Sequence, residues 1–414
     1  MVSALHGPDT VPVSGDKRFG FPGPDSSLSV ILKLAGETCN INCHYCYEKR
    51  KPYESSGQIS PELLRRFLAL CGDRPLRVEL HGGEPLLVRR TRMAMLLAEL
   101  RAYRGPVSLA IQTNGTLLND EWLSFFHDEW PDIDIGVSLD GDPEINDAHR
   151  VDYRDRGTSA KVEAALRCVA GHGLTVGVIS TVTRPALLRP REVIDYFRQF
   201  EAIRFLKFSP CFDYNVEAKT SRGNRRSLPL LNPAGPVNPA GPGSPGWAIS
   251  PIEYADFLIE AFEAWRTGAY QDFLIEPLYS VVLALSGKRA SFCHFSDTKC
   301  SSVLTLYPDG RIGSCDELRM PDALLAHADQ ADTIDPLLSM DTNPALAASL
   351  DKLYDKCNAC DYRDTCRGGC LATRLQYQGT AYDDEYCQHR IKIIDYVAAA
   401  ISRSPAGPGM PGRS

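Results

Sequence analysis

Residues 29–46 read SVILKLAGETCNINCHYC, an apolar run (Ser29–Leu34) that opens into a loop carrying Cys39, Cys43 and Cys46. A short apolar run followed at once by closely spaced thiols describes a strand whose C-terminal end carries a ligand set. Working outward, similar runs recur at Arg77–Leu80, Ser108–Gln112, Asp134–Ser138, Leu174–Thr181 and Ile203–Phe208. Segments of helical period separate them at Pro61–Cys71, Thr91–Tyr103, Asp120–Glu129, Ala160–Gly171 and Arg191–Gln199. Six strands alternating with five helices require right-handed crossovers and a parallel sheet. Six are too few to close an eightfold barrel, so the expected fold is α/β, an open partial barrel. In such folds the chemistry gathers at the C-terminal ends of the strands.

The cysteine loop has C-x3-C-x2-C spacing, which can hold three corners of an iron–sulfur cubane and leave the fourth iron open to a chelating small molecule. Zinc or scattered structural cysteines are the bland alternatives. Structural zinc wants four ligands, and His44 is wrongly placed to share one site with both neighbouring cysteines. Further polar turns follow the next strands: Gly82-Gly83-Glu84-Pro85, Gln112-Thr113-Asn114-Gly115 and Ser138-Leu139-Asp140-Gly141. Glycines let backbone approach a ligand closely, and Glu84 can take a charge-assisted bond from an ammonium group. Read alone, each is a strand-end turn.

The chain has 14 cysteines among 414 residues, eight of them between positions 293 and 387. Cys300 and Cys315 bracket the hairpin pattern VLTLYPDGRIGS, with Pro308-Asp309-Gly310 as its turn. Cys357, Cys360, Cys366 and Cys370 follow at x2, x5 and x3 spacing, then Cys387, with Cys293 upstream. Eight thiolates fill two four-cysteine sites, for zinc or for iron–sulfur clusters. No apolar run reaches membrane-spanning length and no signal-peptide core opens the chain, so a cytoplasmic protein with reduced thiols is expected. A net charge of −7 argues against nucleic-acid and anionic-membrane partners. Cys71 and Cys168, late in helices, read as core; Cys211, after the sixth strand, could face a substrate. The Pro/Gly-rich stretch within 213–250 reads as a surface excursion and SPAGPGMPGRS as a disordered tail.

With these motifs in place, the chain resembles the radical S-adenosylmethionine (SAM) superfamily, whose cysteine loop has an aromatic residue where Tyr45 stands. Its C-terminal cysteines match the SPASM domain of that family element by element. The resemblance implies a partial (β/α)6 barrel followed by a small cysteine-rich domain with a β-hairpin and helices. The implied division is an N-terminal extension (1–28), barrel (29–212), insertion (213–250), bridging helices (251–292), SPASM domain (293–390) and a helix end with its tail (391–414). It also implies SAM and three [4Fe–4S] clusters as cofactors. One cluster falls to Cys39, Cys43 and Cys46, a second to Cys293, Cys300, Cys315 and Cys370, a third to Cys357, Cys360, Cys366 and Cys387. For SAM, the family pattern points to Tyr45, Gly82, Gly83, Glu84, Gln112, Ser138, Asp140 and Arg150. Among these, Glu84 would meet the ammonium, Ser138 the ribose and Arg150 the carboxylate.

The resemblance implies a precursor peptide or protein as substrate and an electron donor such as flavodoxin or ferredoxin. The first expectation is a maturase that crosslinks side chains of a ribosomally made peptide, for instance into a cyclophane. The alternative is an anaerobic sulfatase-maturing enzyme that oxidises cysteine or serine to formylglycine; epimerisation or another oxidation comes after both. Asp316 matches the position of the catalytic base proposed in the sulfatase-maturing group, and Ser250–Trp265 resembles its helix before SPASM. Cys46-Tyr47-Glu48-Lys49 departs from the Cys-Phe-Tyr expected there, and Cys293 and Cys300 enclose six residues instead of five. With about 28 residues before the first strand, a leader peptide would bind the barrel, the SPASM surface or another chain.

Overall fold

The structure, a computed structural model, describes residues 22–23, 26–48, 57–212, 218–219, 225–226, 246–269, 272–290, 292–318, 323–339, 344–378 and 382–403. Most of the N-terminal extension, most of the Pro/Gly-rich stretch and the C-terminal tail therefore lie outside the described residues.

Strands β1 (Leu28–Lys33), β2 (Leu76–His81), β3 (Val107–Thr113), β4 (Asp134–Ser138), β5 (Val176–Val182) and β6 (Ile203–Pro210) pair in parallel, each with the next. Helices α1 (Pro61–Cys71), α2 (Arg90–Ala102), α3 (Asp120–Glu129), α4 (Pro143–Asp147), α5 (Ser159–Gly171) and α6 (Pro190–Phe197) lie in the crossovers. Their starts are written locally. Ser60 and Asn119 accept the backbone N–H three residues on, and proline opens α1, α4 and α6, where its missing N–H costs nothing. The apolar strand faces and helix stripes close on one core that includes Leu32, Leu80, Ile111, Val137 and Val178.

Helix α7 (Pro251–Ala264) begins at Ser250, whose side chain forms a reciprocal capping box with Glu253. The bridging stretch 251–292, expected as helices, also holds a strand. Leu274–Glu276 is strand β7, parallel to β6, and Leu278–Leu285 is helix α8. Pro277 divides them, because a proline just after a short apolar run cannot extend a helix back through it.

The hairpin is formed by β8 (Val303–Leu306) and β9 (Arg311–Gly313), and Leu324–His327 adds β10. β8 lies parallel against β1, so the described sheet has ten strands in the order β10-β9-β8-β1-β2-β3-β4-β5-β6-β7. The cysteine-rich segment thus continues the barrel sheet through its hairpin. Helices α9 (Pro344–Asn358), α10 (Arg363–Cys366), α11 (Leu371–Tyr377) and α12 (Tyr382–Ser402) complete the segment. α12 packs back on α7, where Lys392 pairs with Asp256 and Tyr396 donates to Glu263 at 3.0 Å. No described helix is long and apolar enough to cross a membrane.

Candidate active site

The loop after β1 packs backbone to backbone on the turn after β2. The N–H of Gly83 donates to Gly36 O at 2.8 Å and that of Glu84 to Thr38 O at 2.9 Å. A Cβ on Gly83 would stand 2.2 Å from the Thr38 oxygen, and one on Gly82 (φ +139°) 2.8 Å from that of Gly36. The two glycines therefore seat the chain that runs into Cys39.

Other strand ends hold the rest of the cysteine loop. The Asn114 amide donates to Asn40 Oδ1 at 2.8 Å and reaches Cys39 Sγ at 3.6 Å, while Asn40 donates to Thr116 at 2.8 Å. On the other flank, His44 N–H donates to His149 O at 2.9 Å, and Tyr153 donates to Cys39 O at 3.1 Å. The Cys39 thiol is pushed up to about 12 by burial first and then by the Glu84 carboxylate.

Glu84 is buried. Its carboxylate accepts from Leu86 N at 3.0 Å, the Thr113 hydroxyl at 2.7 Å and Asn114 N at 2.8 Å. Burial still raises its pKa above the ordinary value, because all three donors are neutral. Tyr45 donates its hydroxyl to Asp140 Oδ2 and accepts from Arg150 at 2.9 Å; Asp140 also accepts from Thr181 N at 2.9 Å. Arg150 Nε is buried and without a hydrogen-bond partner among the described residues. Gln112 donates to Ser138 Oγ at 3.1 Å across the ends of β3 and β4. Every residue that the sequence pattern offered for SAM thus lies on one rim, at the C-terminal ends of β1–β4. Asn114, Thr113 and Asn146, whose side chain receives the Asp140 N–H at 3.2 Å, serve the same rim. Only the polar turn sequences hinted at them.

A second cluster sits beside the loop. Lys33, fully buried at the end of β1, places its ammonium 2.5 Å from Glu48, 2.6 Å from Asp316 Oδ2 and 3.2 Å from His81 Nδ1. Tyr47 donates to the same Asp316 oxygen at 2.9 Å. Burial would lower the Lys33 pKa, but Asp316 and then Glu48 outweigh it and keep the amine charged. Asp316 therefore stands where Cys315 of the cysteine-rich segment meets Tyr47, the residue after Cys46.

The C-terminal thiols fall into two neighbourhoods. Cys293 lies close enough to Cys370 and Cys315 for their charges to raise its pKa, which burial first of all pushes up to about 12; Cys315 contacts Cys300. Cys357 feels Cys366 and Cys387 in the same way. Around the second group, Arg390 Nε donates to Cys366 Sγ at 3.0 Å and Arg374 donates twice to Cys387 Sγ at 3.4 Å. Among the described residues no three cysteine thiols come within 4.8 Å of one another.

Of the remaining cysteines, Cys71 is buried in the core, and Cys211 is buried with Tyr45 and Trp247, against which Cys43 packs. Cys168, also expected in the core, packs against it but is only partly buried, and donates to Asp120 at 3.2 Å.

The profile of the radical SAM superfamily matches residues 34–198. The chain is 25% identical over 400 residues to a serine-type anaerobic sulfatase-maturating enzyme of Bacteroides thetaiotaomicron, covering 92% of this chain and 93% of that one. It is 25% identical over 388 residues to a cysteine-type enzyme of Clostridium perfringens, covering 89% and 96%. The solved structure of anSMEcpe with bound AdoMet and a peptide superposes with a TM-score of 0.74 at 23% identity, covering 91% of this chain and 98% of that one.

Proposed function

The chain belongs to the radical SAM superfamily, and from that premise we propose that it oxidises a serine or cysteine side chain of a peptide or protein to formylglycine. This reverses the order of the two expectations drawn from the sequence, because the two relatives named above, matched over nearly their whole length, are sulfatase-maturating enzymes. The observation that carries the reading is Asp316, a carboxylate delivered from the cysteine-rich segment to the mouth of the barrel beside Tyr47 and the cysteine loop.

Bound at this mouth, SAM and a [4Fe–4S] cluster supply one-electron sulfonium cleavage and abstraction of a hydrogen atom from a substrate carbon. The protein holds and orients. Cys39, Cys43 and Cys46 supply three thiolates for the cluster. Glu84, which has only neutral donors, receives the SAM ammonium, and Arg150 turns its unpartnered Nε to the carboxylate. Tyr45 and Asp140 fix that guanidinium, while Ser138, steadied by Gln112, meets the ribose. Oxidation of the substrate carbon then removes one further electron, which an auxiliary [4Fe–4S] cluster would accept, and one proton. A serine gives the aldehyde directly, whereas a cysteine gives a thioaldehyde that water hydrolyses with release of hydrogen sulfide. Asp316, ion-paired with Lys33, takes the proton. The eight cysteines between 293 and 387 hold two further [4Fe–4S] clusters, and a flavodoxin- or ferredoxin-like protein supplies the reducing electron.

The test is anaerobic incubation of cluster-loaded protein, SAM and dithionite with a sulfatase-type peptide bearing serine or cysteine at the modified position. The expected product reacts with a hydrazide, and Asp316→Asn lowers its yield by about 10²-fold while SAM cleavage continues. A product that resists hydrazide and shows suppressed fragmentation between two joined residues would establish crosslinking instead.

A further inference from the structure

One cluster of donor side chains lies apart from the SAM rim and from all eleven cysteines assigned above. Cys168 and His172 are four residues apart, on the last turn of α5 and at its C-terminal cap, so they share one helix face. Asp120, the first residue of α3, faces both: its Oδ1 is 2.9 Å from His172 Nε2 and accepts from Cys168 Sγ at 3.2 Å. All three donor atoms fall within 4.8 Å of one another. Dipole effects account for part of this, since a carboxylate is favoured at a helix N-terminus and an imidazolium at a C-terminus. They give no reason for the thiol to turn onto the same oxygen. A nucleophilic dyad is also a poor account, because partial burial and then Asp120 push the Cys168 thiol up to about 11.

We propose that Asp120, Cys168 and His172 form a binding site for a borderline-soft divalent ion, zinc foremost, that braces α3 against α5. Thiolate, imidazole and carboxylate are the zinc donor set, and two donors four residues apart on a helix form a natural chelate. Donors around a zinc ion are separated by about 3.3–3.8 Å. The two Asp120 contacts, 2.9 Å and 3.2 Å, widen toward that spacing with a small outward shift of Asp120, whose side chain is 83% exposed. Three protein ligands leave the fourth position to water or to a group brought from outside. The site is independent of the oxidation proposed above.

The experiment uses the cluster-loaded holoenzyme, dialysed anaerobically against zinc alone and then passed through a desalting column. Zinc and iron are counted together, so that zinc in an under-filled cysteine site is not mistaken for this one. Wild-type protein is expected to retain about one zinc per chain more than Cys168→Ser or His172→Ala, at equal iron content. Either variant should weaken zinc binding by at least about 100-fold, the upper end of what loss of an outer-shell partner costs. Zinc should also raise the thermal midpoint of the wild type and leave that of Asp120→Ala unchanged. Equal zinc retention by wild type and both ligand variants would overturn the proposal.

Discussion

Glu84 and Arg150 are both buried at the rim with incomplete charge balance, and each predicts a loss that SAM binding itself can report. In Glu84→Gln one carboxylate oxygen becomes an amide nitrogen, which must face Leu86 N and Thr113 or Asn114 N, all donors. Charge-assisted bonds contribute about 1.5–3 kcal/mol, so SAM affinity measured by equilibrium dialysis should fall by about tenfold or more. Arg150→Gln should cost a similar factor and also remove the N–H that the Tyr45 hydroxyl receives, leaving its bond to Asp140. Unchanged affinity in both variants would remove these residues from the SAM site. The residue types were legible from the motif. That Tyr45 lies between Asp140 and Arg150 was not, since those positions are 95 and 105 residues away in the chain.

At the scale of elements, the turn after β2 is a seat for the cysteine loop. Gly83→Ala would drive a methyl into the Thr38 and Glu37 carbonyls, and both backbones cannot keep their hydrogen bonds. The expected outcome is a folded chain with markedly less iron at the first site and weakened SAM binding, read by iron analysis and dialysis. Full iron content would show that the two loops can separate without consequence. The junction of β7 and α8 makes a different prediction. Glu276 is buried and accepts from the Ser280 hydroxyl at 2.7 Å; burial, chiefly, raises its pKa to about 7. Its ordinary value is 4.5, so between these two values the folded protein holds a proton that the unfolded chain has lost. Stability contributed by Glu276 therefore falls as pH rises through this window, by at most about 3 kcal/mol. Thermal midpoints measured from about pH 5 to pH 8 should decline less steeply for Glu276→Gln than for the wild type. Parallel profiles would contradict the assignment.

For the molecule as a whole, Lys33 ties the first strand to the cysteine-rich segment through Asp316, 283 residues away. Removing one partner of a buried pair leaves the other charge stranded, which costs about 3–5 kcal/mol. Lys33→Met should therefore lower the thermal midpoint sharply. Adding Asp316→Asn and Glu48→Gln should restore much of it, because neutral partners no longer need the ammonium. Failure of the neutral triple variant to recover stability would show that Lys33 acts through packing of its stem alone. β8 joins the two parts again by pairing with β1, so a fault in the hairpin reaches the mouth of the barrel through one shared strand.

The sequence by itself determined what short range controls. Hydrophobic period set the six parallel strands, and most of their helices fall within a few residues of the expected bounds. Thiols four and three residues apart, as at Cys39, Cys43 and Cys46, are held together by the covalent chain in any fold that keeps the loop. Tertiary structure decided what separated segments do when they pack. Lys33 lies inside an apolar run and reads as a strand residue; only the arrival of Glu48 and Asp316 makes it a buried ion-pair centre. The edge that accepts the hairpin, the division of eight thiols into two neighbourhoods and the meeting of Cys168 with Asp120 are likewise absent from local pattern. Such contacts depend on how whole faces bury together, and their free energy is shared among many residues rather than written in any one spacing.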